Sequence, residues 1–508
     1  MVTAFSLPYA QEAVALDGTH LTLDDVVRVA RHGAHAELTP PAEKAIARGH
    51  ALLLGHVARG ATIYGLTTGV GALDGETLSS EDNRAFQRNL LLSHAAGTGA
   101  PMSLEAVRAM LLVRANVLAR GRSGARLEVV RALMAMLERG VYPYVPEIGS
   151  VGASDLAALA HAGLLLAGEG WALASGARVP GAEAMKAHGI ALPELAGRDA
   201  FALINGPAQT LGTGALAVHD AARLARTAEM AAVSSMIGAR SRTDFLDARL
   251  FEDEHDPCAE SARRMRELLA SPRPAIASSS VREPLSTRCA PMVAGAFRAA
   301  IARAEHVLGA ELNRPVDNPT LLADGSLTNN SGVMHAAPVA EVLDALVTSV
   351  TNVAQMSERR TARLLDPALN DGLPAFLLHP RAKSGLHSGL MIHQYTAAAL
   401  VGELRTACVP ASVQSIPVSN GTEDHGSMSA LAARRAVRAI ALAETVLAIE
   451  LITAAQAIDL RSLAKPVPDV PSRIDAIHRN LRTRVPVLVE DRLAAADIES
   501  IVEFVRAQ

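Results

Sequence analysis

GSVGASDLAALAH, from Gly149 to His161, runs small residues straight into an apolar helical pattern. Gly-Ser-Val-Gly-Ala-Ser has almost no side chain to bury. Asp155 is a good residue to cap a helix, and Leu156, Leu159 and Ala160 then recur at helical spacing. The loop is therefore expected to deliver its backbone to the positive end of a helix dipole, a place that stabilises negative charge. Taken alone, the same run also reads as a plain glycine-rich turn before a core helix.

The rest of the chain supports the helical reading. Of 508 residues, 49% are hydrophobic but only 3% are aromatic, so a core must be built from Ala, Leu, Val and Ile, which favours long, closely packed helices over a sandwich. Leu211–Gly238 reads as one long helix with Ala-dense faces. From about Ser427 to Leu463 another long helix keeps a heptad-like stripe of Val437, Ile440, Leu447, Leu451, Ala454 and Ile458. Glu444 interrupts that stripe at an inward position and is expected to pair with an arginine of a neighbouring helix. Toward the N-terminus LDGTHLTLDDVVRVARHG reads as a short strand and a helix capped near Thr22 and stopped at Gly33. The expected fold is all-α: a long-helix bundle with a smaller mixed N-terminal cap domain carrying loops. The expected divisions are 1–205 for the cap, 206–468 for the bundle and 469–508 for a C-terminal helical appendage. The Ser/Pro/Arg-rich stretch from Ala270 is the longest expected loop in the middle of the chain.

Charge and cysteine usage bound the partners. With 48 basic and 52 acidic residues the net charge is -4, which implies no nucleic acid. Apolar runs are broken by charges within about 18 residues, so no membrane span is expected. The N-terminal segment lacks the basic and apolar regions of a signal peptide. Cys258, Cys289 and Cys408 are widely separated, without metal-ligand spacing, as free thiols of a reducing cytoplasm would be.

Five motifs in order carry a resemblance to the histidine/phenylalanine/tyrosine ammonia-lyase family, most of all to its histidine branch. They are YGLTTGVG from Tyr64, the opening loop, FALINGPAQT from Phe201, VREPLSTRC from Val281 and PASVQSIPVSNGTEDHGSMS from Pro410. The family's loop reads GSVGASGDLAPLAH, and its Ala-Ser-Gly cyclises with loss of two waters to the electrophile methylidene-imidazolone. Here Ala153 and Ser154 are followed by Asp155, and the glycine is missing. Either the group does not form, or it forms from Ala153-Ser154-Asp155, or the written sequence has lost one residue. Glycine suits the closure because it has no Cβ, and Asp should hinder it.

By the resemblance, Tyr64 is the base that takes the β-proton, and Asn205 is the amide that orients or polarises the electrophile. His94, in the Ser93-His94 pair, and Glu423 read an imidazole ring. Arg288 forks onto the substrate carboxylate, a task that suits a planar guanidinium, and Asn313 in AELNRPVDNP is a second polar contact nearby. A phenol titrates at about 10 in water, so Tyr64 would need a positive field, with Arg288 and the helix terminus as sources. Val70, Leu285, Val333 and Thr422 replace the family's Phe, Tyr, Asn and Gln. The resemblance implies a cytoplasmic homotetramer with shared sites, no metal, and non-oxidative loss of ammonia from histidine or a similar aromatic amino acid. Two other readings stay open: an eliminase or aminomutase without the electrophile, and a non-catalytic relative.

Overall fold

The computed structural model describes residues 13–253, 255–270, 281–463 and 470–508. Helices carry most of it, among them α1 (Ser80–His94), α2 (Leu104–Ala119), α3 (Leu156–Leu166), α4 (Asp199–Ile204), α5 (Ala208–Ala239), α6 (Pro257–Leu269), α7 (Ala290–Glu311), α8 (Ala337–Leu365), α9 (Ser429–Ser462) and α10 (Ser472–Arg484). Strands among the described residues form only two-stranded ladders. Val14–Leu16 pairs in parallel with Ala36–Leu38, and the other three ladders are antiparallel. The fold is all-α with a smaller mixed part. The loop expected from Ala270 falls mainly on 271–280, outside the described residues.

Contacts divide the chain into two compact units that do not follow the expected boundaries at 205 and 468. The first comprises Met1–His219, Glu305–Leu343 and Pro410–Arg434; the second comprises Asp220–Ala304, Asp344–Val409 and Arg435–Gln508. All four ladders lie in the first unit. There α2 is apolar on all sides and almost wholly buried, as expected for a helix at the centre of a core. Its one buried charge, Arg114, pairs with Asp317 at 3.1 Å, both 1% exposed, and also donates to the carbonyls of Ala202 and Asn205. A buried pair of this kind is costly to break, about 3–5 kcal/mol, because it leaves one charge unpaired. Near the N-terminus, Thr22 caps the helix Leu23–His32 in a capping box with Asp25, and Gly33 ends it at φ 68°. The strand Val14–Leu16 overlaps the stretch read as strand and helix only at its first residue, Leu16.

In the second unit, residues of α5, α6, α7, α9 and α10 meet in one apolar cluster that includes Val233, Met236, Met265, Ala294, Ile458 and Ile474. The α9 stripe is buried from Ile440 to Ile458, whereas Val437 is exposed. Glu444 pairs with Arg223 of α5 and with Arg506, as its inward position suggests. One turn and a half further on, Glu450 takes a fork from Arg360 of α8 at 2.5 and 2.8 Å and accepts from the Ser235 hydroxyl at 2.7 Å. No helix among the described residues is long and apolar enough to cross a membrane.

Candidate active site

The first unit encloses a cavity of about 540 Å³ lined by Tyr64, Val70, His94, Ala153, Ser154, Asn205, Asn318 and Glu423, among others. Seven separate stretches of chain, around Tyr64, His94, Ser154, Asn205, Asn318, Met334 and Glu423, therefore converge on one space. The sequence-derived residues Tyr64, His94, Ala153, Ser154, Asn205 and Glu423 are all among its lining.

Tyr64 sits on the loop before α1, its ring edge-on to Phe201 with centroids 5.4 Å apart. The phenol oxygen accepts the Gly71 amide N–H at 2.6 Å. Gly71 has φ +58°, and a Cβ there would lie 2.6 Å from the Ser419 hydroxyl, so glycine alone lets its amide come this close. Burial pushes the Tyr64 phenol above its ordinary value; the Gly71 N–H opposes this, while Glu423 and Asp74 add to it. The expected positive field is therefore not supplied by the residues around Tyr64, whose charged neighbours are acidic.

His94 ends α1, where its Nδ1 is 2.9 Å from the Leu90 carbonyl. A carbonyl can only accept, so Nδ1 carries the hydrogen and Nε2 is left as an acceptor. Burial holds the ring below the ordinary histidine value, which keeps that lone pair. Glu423 is placed by a backbone pairing with Val418 around a tight turn.

Ser154 is in the left-handed region at φ 65° and is 4% exposed. Its hydroxyl donates to Asn205 Oδ1 at 2.8 Å and accepts from the Gly206 amide at 2.8 Å. Asn205 Nδ2 donates to the Asn318 carbonyl at 2.7 Å, which fixes the amide's orientation. The loop's other side is closed against the segment before α9, where Ser427 donates to the Gly152 carbonyl at 2.8 Å. A Cβ on Gly152 would fall 2.1 Å from that hydroxyl. Ala153 also pairs with the backbone of His335, whose ring stacks on His425.

Asp155 departs from its expected role. It stands at the head of α3 but makes no side-chain capping bond. It is fully buried, and its carboxylate accepts from Ser150 Oγ at 2.6 Å, Thr210 N at 2.8 Å and Thr210 Oγ1 at 3.2 Å. The carboxylate thus ties the loop to the start of α5 instead of capping α3. Burial raises its pKa and these donors oppose the rise. Its own amide N–H donates to the Gly206 carbonyl at 2.9 Å. Closure of a methylidene-imidazolone would require that nitrogen to give up its hydrogen and bond to the Ala153 carbonyl carbon. The residues at 153–155 do not fit the group.

Two expected contacts lie elsewhere. Asn313 is not in the lining: its amide exchanges two bonds with the backbone of Leu21 at 2.9 and 2.8 Å and is further engaged by Gly309 and Asn116. It pins the entry to the helix Leu23–His32. Arg288 belongs to the second unit, at the end of the short helix Leu285–Arg288, where its buried Nε has no hydrogen-bond partner among the described residues. Asn318 was missed, although it stands in the same DNP motif that pointed to Asn313. Val70 lines the cavity, whereas Val333 and Thr422 are neighbours of the lining residues Met334 and Glu423. Among the described residues no three His, Cys, Asp or Glu side chains are grouped to hold a metal ion.

Comparison with known proteins matches nearly the whole chain. The profile of the aromatic amino acid lyase family matches residues 21–483. A histidine ammonia-lyase of Symbiobacterium thermophilum is 43% identical over 498 residues, 97% of this chain and 96% of that protein. The crystal structure of histidine ammonia-lyase from Trypanosoma cruzi superposes with TM-score 0.89 at 34% identity, covering 97% of this chain and 93% of that one. Tyrosine aminomutase from Streptomyces globisporus gives TM-score 0.90 at 31% identity, with 97% of each chain covered. The chain therefore belongs to the aromatic amino acid lyase family and is a carbon–nitrogen lyase.

Proposed function

We propose that the cavity removes ammonia by β-elimination from histidine or an amino acid with a similarly polar ring. The observation that carries this reading is that His94 Nε2 and the Glu423 carboxylate, both acceptors, line the same cavity as the Tyr64 phenol. A protonated imidazole presents two N–H groups and satisfies both acceptors. A phenyl ring presents none and leaves both desolvated, at about 1–3 kcal/mol each.

In this reading Tyr64 takes the β-proton, and the Gly71 N–H steadies charge on its oxygen. Ser154, oriented by Asn205, and the head of α3 face the α-amine and α-carbon. No step is routed through the family's internally formed electrophile, which when present activates the amine for departure. Among the described residues the lining contains no Lys or Arg, yet an amino acid brings a carboxylate. Arg288 is our candidate for that carboxylate, contributed by another copy in a homotetramer with shared sites. The three free cysteines suit a cytoplasmic enzyme. A second reading, in which the amine is moved rather than released, draws on the likeness to tyrosine aminomutase.

The test is a side-by-side comparison of histidine, tyrosine and phenylalanine, by ammonia release and product analysis, on wild type and Glu423→Gln. Histidine should be preferred by several orders of magnitude, since a site built around a hydrogen bond rejects analogues lacking it. Glu423→Gln should narrow the gap by weakening histidine. Equal handling of phenylalanine by wild type would remove the imidazole assignment, and a β-amino acid product without ammonia would favour the second reading.

A further inference from the structure

Closing an Ala-Ser-X ring has a fixed atom balance. The amide nitrogen of residue 155 bonds to the Ala153 carbonyl carbon, whose oxygen leaves as water with the hydrogens of nitrogens 155 and 154. A second water takes the Ser154 hydroxyl and its α-hydrogen. The nitrogen of residue 155, the Ser154 hydroxyl and the side chain of residue 155 each have an engagement in this chain that closure would end. The nitrogen of Asp155 donates its hydrogen to the Gly206 carbonyl at 2.9 Å. The Ser154 hydroxyl is used twice, as donor to Asn205 and as acceptor from Gly206. The side chain of residue 155, absent in a glycine, is fully buried and held by Ser150 and Thr210. Swinging nitrogen 155 onto the Ala153 carbonyl would pull that carboxylate off Thr210, which opens the first full turn of α5. Loop and helix therefore hold the tripeptide open from both sides.

We propose that Ala153-Ser154-Asp155 stays a linear peptide in the mature protein, and that elimination in this cavity proceeds with no covalent bond between the amine and the protein. The step balances without one. Tyr64, as the phenolate, takes the β-hydrogen as a proton and becomes the phenol, and the C–H electron pair becomes the new Cα=Cβ bond. The Cα–N pair departs with the nitrogen, so that an ammonium group leaves as the neutral amine. What the electrophile would have supplied must then come from the substrate, whose β-carbon has to be acidified by its ring. An imidazole that keeps its proton between His94 and Glu423 does this, because the positive ring withdraws electrons from the β-carbon. Substrates are thus restricted to amino acids with a ring that can carry positive charge, a deepening of the proposed function on which this part rests.

The experiment is the intact mass of the purified wild-type chain, with peptide mapping across Gly149–His161, before and after borohydride. The expected result is the full mass of the translated sequence and turnover unchanged by borohydride. A mass short by two waters located in this peptide overturns the proposal. A variant with one glycine inserted after Ser154 is expected to lose two waters, since the loop then has a third residue without a tethered side chain. If the soluble inserted chain keeps its full mass, the absent glycine is not what holds the loop open and the proposal falls. Turnover of the substrate panel on the same preparation separates the two readings. Full mass with no elimination from histidine sinks the proposed function and leaves the linear loop standing; a two-water deficit with histidine turnover does the reverse.

Discussion

Replacing Asn205 with Ala removes an amide that is 3% exposed and bonded at both ends, to Ser154 Oγ at 2.8 Å and to the Asn318 carbonyl at 2.7 Å. Two buried groups lose their partner, at about 1–3 kcal/mol each. Because the residue lines a cavity that water can enter, the lower end applies, and the total is about 2 kcal/mol. Rotation of the freed Ser154 hydroxyl should cost far more in rate than in stability, since a positioned polar group at a site of developing charge is worth roughly 10²–10³ in kcat. Asn205→Asp keeps the acceptor for Ser154 but turns a carboxylate oxygen toward the Asn318 carbonyl, so it should keep more of kcat and lose more stability than Ala. The assays are denaturant unfolding and steady-state elimination kinetics on the same preparations. If Asn205→Ala loses the full stability but less than threefold in kcat, Asn205 only holds the loop and has no part in the reaction.

Four other outcomes follow from named contacts. The His94 value is depressed in the folded chain, so its contribution to stability is present above the ordinary value of about 6.5 and is lost as pH falls through the folded one. Histidine affinity should fall over the same range, and His94→Gln, whose carbonyl accepts at any pH, should flatten that limb. Glu423 raises the Tyr64 phenol, so Glu423→Gln should move the ascending limb of the pH–rate profile, on which the base ionises, to lower pH while it weakens histidine binding; an unmoved limb would mean that Tyr64 is not the titrating base. Glu450→Ala leaves Arg360 buried and unpaired and should destabilise the second unit by about 3–5 kcal/mol in denaturant unfolding. Arg288→Lys keeps the charge but loses the fork, so KM for the amino acid should rise roughly tenfold or more with the fold intact; an unchanged KM places the carboxylate elsewhere.

What was legible in the sequence is what short-range pattern determines. Thr22 and Gly33 bracket their helix because a cap and a left-handed residue act within one turn. The spans of α5 and α9 follow the Ala/Leu periodicity, and an acid on an apolar stripe had to find a cation, as Glu444 does. Asp155 shows the limit. As a cap it is a local residue, but its donors include Thr210, 55 positions away, and nothing in the loop announces that bond. Asn313 fails the same way: its partner Leu21 is 292 residues distant, while Asn318, five positions on, reaches the cavity. The field at Tyr64 was misjudged because its sign depends on which loops converge, and Glu423 arrives from a stretch more than three hundred residues later. The family motifs located the cavity residues because motif order survives where pairwise geometry is invisible.

The most direct measurement of the site is a crystal structure with histidine whose β-hydrogens are both replaced by fluorine, which keeps amine, ring and carboxylate but has no β-proton to lose. The ring nitrogens are expected at His94 Nε2 and the Glu423 carboxylate, the β-carbon facing the Tyr64 phenol oxygen, and the amine beside Ser154 with no bond to it. A ring lodged away from His94 and Glu423, or a β-carbon turned from Tyr64, would contradict the assignment of this cavity as the eliminating site.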